Sequence, residues 1–206
     1  MNPSSATRRW ARGVWLIAAA CLTPHAQAVN GTVTITGEIT DQTCKIDSKD
    51  PPHDLVVTLP RIGAMALKEI NSTAGATPFV IRISDCPDSL SGTVKAYFEP
   101  GATTDYGTGN LMAYNEALPT GIPSSIPDRS QAILFNNVQI QLINMNGSVI
   151  KLGQSVEEQN AHSVPLTGDV TKTATLRYLA RYIRTTANPL HAGKLLTYVQ
   201  YSVVYP

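Results

Sequence analysis

The C-terminal segment alternates residue by residue, and this alternation constrains the fold more than any other feature. Aliphatic, β-branched or aromatic residues recur at every second position, and Pro206 ends the chain one residue after the last of them. They follow Gly193 and are Leu195, Thr197, Val199, Tyr201, Val203 and Tyr205. Side chains two residues apart share one face of a strand. The pattern predicts a terminal strand with one apolar face and an open pairing edge.

A second alternating segment lies near the N-terminus. Val33, Ile35, Gly37 and Ile39 alternate with three threonines and a glutamate. A strand of this kind fits the open edge of another copy, so the two segments together predict a subunit that polymerises. The alternative is an ordinary first strand that pairs within its own domain.

Residues 1–28 have the pattern of a secretory signal peptide. Three arginines precede an apolar stretch from Val14 to Leu22, and Ala26-Gln27-Ala28 resembles a cleavage site. The apolar stretch is too short to span a membrane. The pair Arg8-Arg9 leaves a twin-arginine export route open. The sequence therefore predicts export, with residues 29–206 as the mature chain.

The size and charge of the mature chain favour a single domain without a nucleic-acid partner. The mature chain has 178 residues, which is typical of one domain. The signal carries three of the 16 basic residues and none of the 15 acidic ones, so 13 basic residues remain against 15 acidic ones. A slightly acidic chain has no electrostatic basis for binding nucleic acid.

Two cysteines remain once Cys21 is removed with the signal. An exported chain with two cysteines, here Cys44 and Cys86, most often forms one disulfide. The alternative is a metal or redox pair. That alternative has neither a Cys-x-x-Cys motif nor histidine ligands nearby.

The remaining sequence reads as all-β, with short Thr-, Val-, Ile- and Tyr-rich runs between Gly, Pro, Asn and Asp. Asn146-Gly147 between two apolar runs predicts a hairpin, and 65–70 predicts a short helical turn. Predicted strands are 32–40, 42–47, 55–59, 78–85, 93–99, 132–135, 138–144, 148–152, 173–184 and 195–205.

Residues 100–130 contain many glycines and prolines, which predicts a long exposed loop on the β scaffold. A loop of this length is usually functional or mobile. The alternative is a tolerated insertion without a role.

The sequence carries no recognisable catalytic or metal motif, and it predicts a protein that is not an enzyme and holds no metal or cofactor. The three mature histidines are far apart, and nucleotide-binding and nucleophile motifs are absent. A modest basic cluster could bind anionic glycans, although a solvated sheet face is the simpler reading. Its members are Lys172, Arg177, Arg181 and Arg184.

At several motifs the chain resembles the pilin subunits of chaperone–usher fimbriae, and most closely the serotype-specific major fimbrial subunits of the whooping-cough group. The resemblance spans 29–206 and includes a glycine fourteenth from the end (Gly193) and a penultimate tyrosine (Tyr205). The motifs are Gly31-Thr-Val-Thr-Ile-Thr-Gly-Glu-Ile-Thr-Asp-Gln-Thr-Cys44, Thr73-Ala-Gly-Ala-Thr-Pro-Phe79, Asp85-Cys86-Pro87, Tyr97-Phe-Glu-Pro-Gly101, Leu176-Arg-Tyr-Leu-Ala-Arg-Tyr182 and Tyr198-Val-Gln-Tyr-Ser-Val-Val-Tyr-Pro206.

The resemblance implies an incomplete immunoglobulin-like β-sandwich that lacks its seventh strand, within a pilin domain at 42–206. Segment 29–41 would be the donor strand of the next subunit, with Val33, Ile35, Gly37 and Ile39 entering its groove. The Cys44–Cys86 spacing fits the pilin disulfide. The groove, first read by the chaperone, would be lined by Gly193, Leu195, Val199, Tyr201, Val203 and Tyr205.

The implied partners are other copies, sibling pilins, a periplasmic chaperone, an outer-membrane usher and the host cell surface. The implied route is through the periplasm to an extracellular fimbrium. The alternative is an adaptor or tip pilin, or a shaft subunit that binds host anionic glycans directly. A tip adhesin usually carries an extra lectin domain, which favours the shaft subunit.

Overall fold

The computed structural model describes residues 33–37, 39, 44–115 and 132–206. The chain divides into two units, Met1–Ile39 and Thr40–Pro206. In the first unit, the described residues have no strand pairing, so the predicted strand 32–40 is not formed there. The predicted signal peptide lies outside the described residues.

The second unit contains two β-sheets and a short 3-10 helix, Ala64–Leu67. Among its described residues no helix is long and apolar enough to cross a membrane. Its strands are β1 Lys45–Ile46, β2 Thr73–Cys86, β3 Thr93–Glu99, β4 Thr104–Asp105, β5 Asn110–Asn115, β6 Leu134–Asn144, β7 Val164–Pro165, β8 Lys172–Arg184, β9 Leu195–Leu196 and β10 Gln200–Val204.

The larger sheet has the strand order β1-β2-β8-β6-β5-β4, with β9 paired to β5, and the smaller sheet has the order β10-β3-β7. All pairs are antiparallel. Strand β8 alternates buried and less buried residues, as expected when one face of a sheet packs on a core. The core lies between the sheets.

Three aromatic rings join the two sheets at the centre of the core. Phe98 on β3 lies edge-on to Tyr178 on β8, with ring centroids 5.4 Å apart, and Phe79 on β2 contacts both rings. Edge-to-face packing of this kind contributes beyond the apolar area it buries. The Tyr178 hydroxyl accepts a hydrogen bond from the Ala96 N–H and donates one to the His162 carbonyl.

The predicted loop 100–130 is wrong over its first half. Thr104–Asp105 and Asn110–Asn115 are strands of the larger sheet, and Leu111 is buried on its core face. The glycines there form a tight turn instead of a long excursion: Asp105 accepts hydrogen bonds from the N–H groups of Gly107 and Thr108. Residues 116–131 lie outside the described residues.

Several other predicted elements are formed with altered bounds. The Asn146-Gly147 turn is present, but 148–152 makes only an isolated bridge through Val149 to Ile143. The helical turn predicted at 65–70 is the 3-10 helix. Predicted strands 132–135 and 138–144 are one strand, β6, and β7 was not predicted.

The predicted C-terminal strand 195–205 is divided between the sheets. Leu195–Leu196 pairs with β5 of the larger sheet, whereas Gln200–Val204 pairs with β3 of the smaller one. Between them Thr197 donates its hydroxyl to the Met112 carbonyl. The chain crosses from one sheet to the other here, so residues 195–205 do not form one continuous strand.

Candidate functional site

Strand β10 has one paired and one unpaired edge. On β3, Ala96 and Phe98 direct their backbone groups away from β10, because they bond to Tyr178 and Gln159 instead. Tyr201 lies opposite Phe98, and Val203 lies opposite Ala96. Directly opposite residues of an antiparallel pair either bond to each other or both point their backbone groups away from each other. The N–H and C=O groups of Tyr201 and Val203 therefore point away from β3. Among the described residues no strand pairs with that side of β10.

An extended segment, 53–60, lies opposite this edge. Its residues alternate between half-buried and exposed, and the half-buried ones include Leu55, Val57 and Leu59, which pack against the core. Within the described part of the chain it makes no backbone–backbone hydrogen bond. The predicted strand 55–59 is therefore strand-like in its side chains but lacks a pairing partner.

A tyrosine side chain spans the space between the two walls. The Tyr201 hydroxyl donates a hydrogen bond to the His53 carbonyl at 2.7 Å. Hydrogen-bonded strands are separated by about 4.8 Å, backbone to backbone, whereas here a whole side chain intervenes. In the described residues a side chain, and not backbone pairing, joins the two walls here. We call the space between segment 53–60 and β10 the acceptor groove.

The base of the acceptor groove is apolar. Side chains from both walls and from β2 pack on the buried core without being fully covered. A cleft of about 290 Å³ separates residues 55–58 from Pro78 and Phe79, so segment 53–60 also stands off β2. The half-buried apolar residues of the two walls are Leu55, Val57, Leu59, Val199, Tyr201, Val203 and Tyr205.

Charged groups fix one end of the segment. Asp47 lies 3.3 Å from the His53 imidazole and 3.3 Å from the Arg82 guanidinium. Burial, together with the nearby carboxylates of Asp47 and Asp54, raises the pKa of Tyr201 to about 12. The Tyr201 hydroxyl is therefore protonated at physiological pH and available as a donor to His53.

A disulfide anchors the chain N-terminal to this segment. Cys44 and Cys86 are bonded, with their Cα atoms 4.3 Å apart and a sequence separation of 42. The Cys44 N–H donates to the Tyr205 hydroxyl at 3.3 Å. The penultimate tyrosine thus links the C-terminus of the chain to the disulfide.

The residues predicted to line the groove divide into two groups. Val199, Tyr201, Val203 and Tyr205 lie together along the acceptor groove. Gly193 and Leu195 do not, because that part of the chain follows the larger sheet: Leu195 pairs with Asn115, and Gly193 lies against the ring of Phe135. Sequence reasoning missed the opposite wall, whose period-two pattern from His53 to Leu59 was the available signal.

The predicted donor residues present their side chains to solvent. The exposed fractions of Val33, Ile35 and Ile39 are 86%, 90% and 101%. A Cβ added to Gly37 would have no atom within 4 Å. Large aliphatic side chains are rarely left so exposed in regular alternation, so this segment has apolar surface to bury elsewhere.

The predicted basic cluster is not assembled as an exposed patch. Arg184 donates to five backbone carbonyls, so it serves as a structural anchor. Arg181 donates twice to the Gln141 side chain, and burial lowers its pKa. Arg177 is exposed and Lys172 half-buried on the same strand.

No cluster of three or more metal-ligating side chains occurs within the described residues. His53 faces Asp47, and the His162 imidazole lies 3.5 Å from the Ser148 hydroxyl. His191 is exposed. The strongest site is therefore the acceptor groove, whose chemistry suits an extended peptide.

Comparison with known proteins identifies related sequences. A family model described as the type-1 fimbrial protein, A (FimA) matches residues 59–206. The serotype 2 fimbrial subunit of Bordetella pertussis is 43% identical over 193 residues, covering 92% of this chain and 93% of that protein. The serotype 3 fimbrial subunit of the same organism is 41% identical, covering 95% and 96%.

Solved structures share the fold at low sequence identity. The rod subunit PapA of the P pilus has a TM-score of 0.52 at 13% identity, covering 79% of this chain and 99% of that one. A chain from a chaperone–usher pilus, in a structure concerned with rod uncoiling, has a TM-score of 0.51 at 15% identity, covering 89% and 98%. The predicted all-β pilin fold is confirmed.

Proposed function

The chain belongs to the type-1 fimbrial protein family, and on that premise we propose that it is the repeating shaft subunit of a surface fimbrium, joined to its neighbours by strand exchange. The observation that carries the proposal is the acceptor groove, an apolar space with an unpaired strand edge on one side. As a member of this family the chain is a structural subunit that assembles with other pilins on the outside of the cell.

The acceptor groove sets the chemical requirements for its occupant. The backbone of Tyr201 and Val203 requires an extended peptide that supplies complementary N–H and C=O groups. The apolar base requires bulky aliphatic side chains at alternate positions. Segment 29–41 of another copy has both properties, and it is the occupant we assign.

The energy of insertion comes mainly from side-chain burial. Val33, Ile35 and Ile39 are almost fully exposed in the single chain, and complete burial of each contributes about 1.5–3 kcal/mol. Gly37 would sit where the strand backbone approaches the core closely. The polar residues between them would remain on the solvent side.

Exchange of this kind requires partners before the fibre forms. A bare apolar groove with a free edge aggregates, so we assign its first occupant to a periplasmic chaperone that lends an extended strand. An outer-membrane usher would then replace that strand with segment 29–41 of the neighbouring subunit. The Cys44–Cys86 bond fits passage through an oxidising compartment.

The test moves the donor segment. Deleting residues 29–41 should give a subunit that still folds on its chaperone but yields no fibre beyond it. Attaching the same segment after Pro206 through a Gly/Ser linker should fill the chain's own groove, because the linker is flexible and the effective concentration is high. The product should be a soluble monomer that resists heat and denaturant better than the chaperone-released wild type.

A matched variant tests the fit within the groove. Gly37→Leu in the transplanted segment should reduce the gain in stability, since a bulky side chain would enter where backbone alone fits. A rearranged chain that still polymerises, or that is no more stable than the deletion, would refute the donor assignment of Val33, Ile35, Gly37 and Ile39.

A further inference from the structure

The side chain of Gln159 occupies the second edge of the smaller sheet. It is fully buried, with 0% of its surface exposed. Its amide nitrogen donates to the Phe98 carbonyl at 2.8 Å, and its amide oxygen accepts from the Phe98 N–H at 2.9 Å. Only one orientation of the amide satisfies both contacts, because one partner is a donor and the other an acceptor.

The Gln159 side chain makes the same two hydrogen bonds to Phe98 that a neighbouring strand would make. A carboxamide offers one N–H and one C=O at the spacing of a peptide group, so Gln159 bonds to β3 as a neighbouring strand would. Unlike a strand, it presents no further backbone edge on its far side. It therefore satisfies Phe98 and ends the sheet at the same point.

Two other outward-facing positions of β3 have partners as well. Val94 pairs with Val164 of β7, and the Ala96 N–H donates to the Tyr178 hydroxyl. Strand β7 is two residues long and includes Pro165, which has no N–H. Gln159 thus covers the part of β3 that β7 is too short to reach.

Two further contacts hold the loop that carries Gln159. The Lys95 ammonium donates to the Val156 carbonyl at 3.0 Å, and the Tyr97 hydroxyl donates to the Gln154 carbonyl at 3.1 Å. The Gln159 N–H itself closes a turn on the Ser155 carbonyl. The loop is fastened to β3 at three successive points, so the position of the amide is fixed.

We propose that Gln159 is a specificity-determining residue for assembly: by capping β3 it confines the addition of another copy's strand to the β10 edge. The inference rests on the proposed function, because it presupposes strand addition at the acceptor groove. Without the cap, Phe98 would offer an unpaired N–H and C=O beside an apolar core. The smaller sheet would then accept strands at both edges.

The test uses assembled fibres, in which the acceptor groove is already occupied. Fibres of wild type, Gln159→Leu and Gln141→Leu are incubated with a fluorescein-labelled peptide of residues 29–41. Gln141 is the matched control, since it is also a buried amide, but its side chain bonds, among the described residues, only to the side chains of Asn110 and Arg181. We expect stoichiometric binding to Gln159→Leu fibres and none to the other two.

Hydrogen exchange supplies a second measurement. The Phe98 amide should exchange roughly tenfold faster in Gln159→Leu than in wild type, the factor that corresponds to one net hydrogen bond. Failure of Gln159→Leu fibres to bind the peptide overturns the proposal. If that variant forms no fibre, rapid exchange at Phe98 in wild-type fibres overturns it, and protection there supports it. Peptide binding to wild-type fibres would instead refute the proposed function, since their grooves would be unfilled.

Discussion

A single charge in the acceptor groove should abolish assembly while leaving the fold intact. Val203 lies on β10 with its side chain on the core side, opposite Ala96 of β3. In the free subunit it is half-buried, so an aspartate there keeps contact with water. Once a strand fills the groove, that contact is lost. Val203→Asp therefore destabilises the subunit with a strand in its groove more than it destabilises the free subunit.

Two contributions set the loss in free energy of strand insertion: neutralisation of the carboxylate and the lost burial of the valine side chain. A carboxylate that cannot reach water takes up a proton instead, and neutralising an aspartate of pKa about 3.9 at pH 7 costs about 4 kcal/mol. The apolar burial that valine gains on strand insertion adds about 1 kcal/mol. We expect a loss of about 5 kcal/mol, or several thousandfold in the dissociation constant for the inserted strand.

The assay is co-purification of the subunit with its tagged periplasmic chaperone, followed by the yield of fibre sheared from cells. Val170→Asp is the matched control, because it makes the same change at a valine that is 83% exposed. Val203→Asp should lose both readouts and Val170→Asp neither. Equal co-purification of Val203→Asp and wild type would show that the groove has been misplaced.

Two further predictions concern stability. Cys44→Ser removes a bond between residues 42 apart, which should cost about 2–5 kcal/mol and sharply lower periplasmic yield; normal yield with no bond detected in the wild type by mass spectrometry would contradict this. The folded-state pKa of Tyr201, about 12, lies above the unfolded value near 10. The unfolded chain therefore loses this proton first, and stability should fall between pH 10 and 12. Denaturant titrations should show a smaller fall for Tyr201→Phe, and an identical fall would contradict the assignment.

The parts of the fold that sequence predicted well are those with strong local patterns. The period-two runs at 93–99 and 173–184 became β3 and β8 almost residue for residue. The Asn146-Gly147 turn formed where its left-handed backbone is needed, with Gly147 at φ 87°. These signals are local, because side-chain alternation and turn geometry do not depend on distant partners.

The misassigned parts depend on distant partners. Residues 104–115 carry turn-forming glycines, but β6 supplies a pairing edge that turns the short apolar run Leu111–Tyr114 into a buried strand. Segment 53–60 has the pattern of a strand but makes no backbone–backbone hydrogen bond within the described residues. The contacts of Arg184 could not be predicted from the sequence either, since its five carbonyl acceptors lie in two separate segments of the chain.

The edges of the two sheets explain why one groove should dominate assembly. In the described part of the chain, β1, β4, β7 and β9 are each two residues long, and the free side of β2 carries Pro78. Short edges and edge prolines are devices that block strand addition, and Gln159 caps what β7 leaves uncovered. Strand β10 has five residues, no proline and an apolar face. A subunit whose described strands leave one unprotected edge, and which has one spare strand, adds the next copy at a single position, so we expect a linear, unbranched polymer.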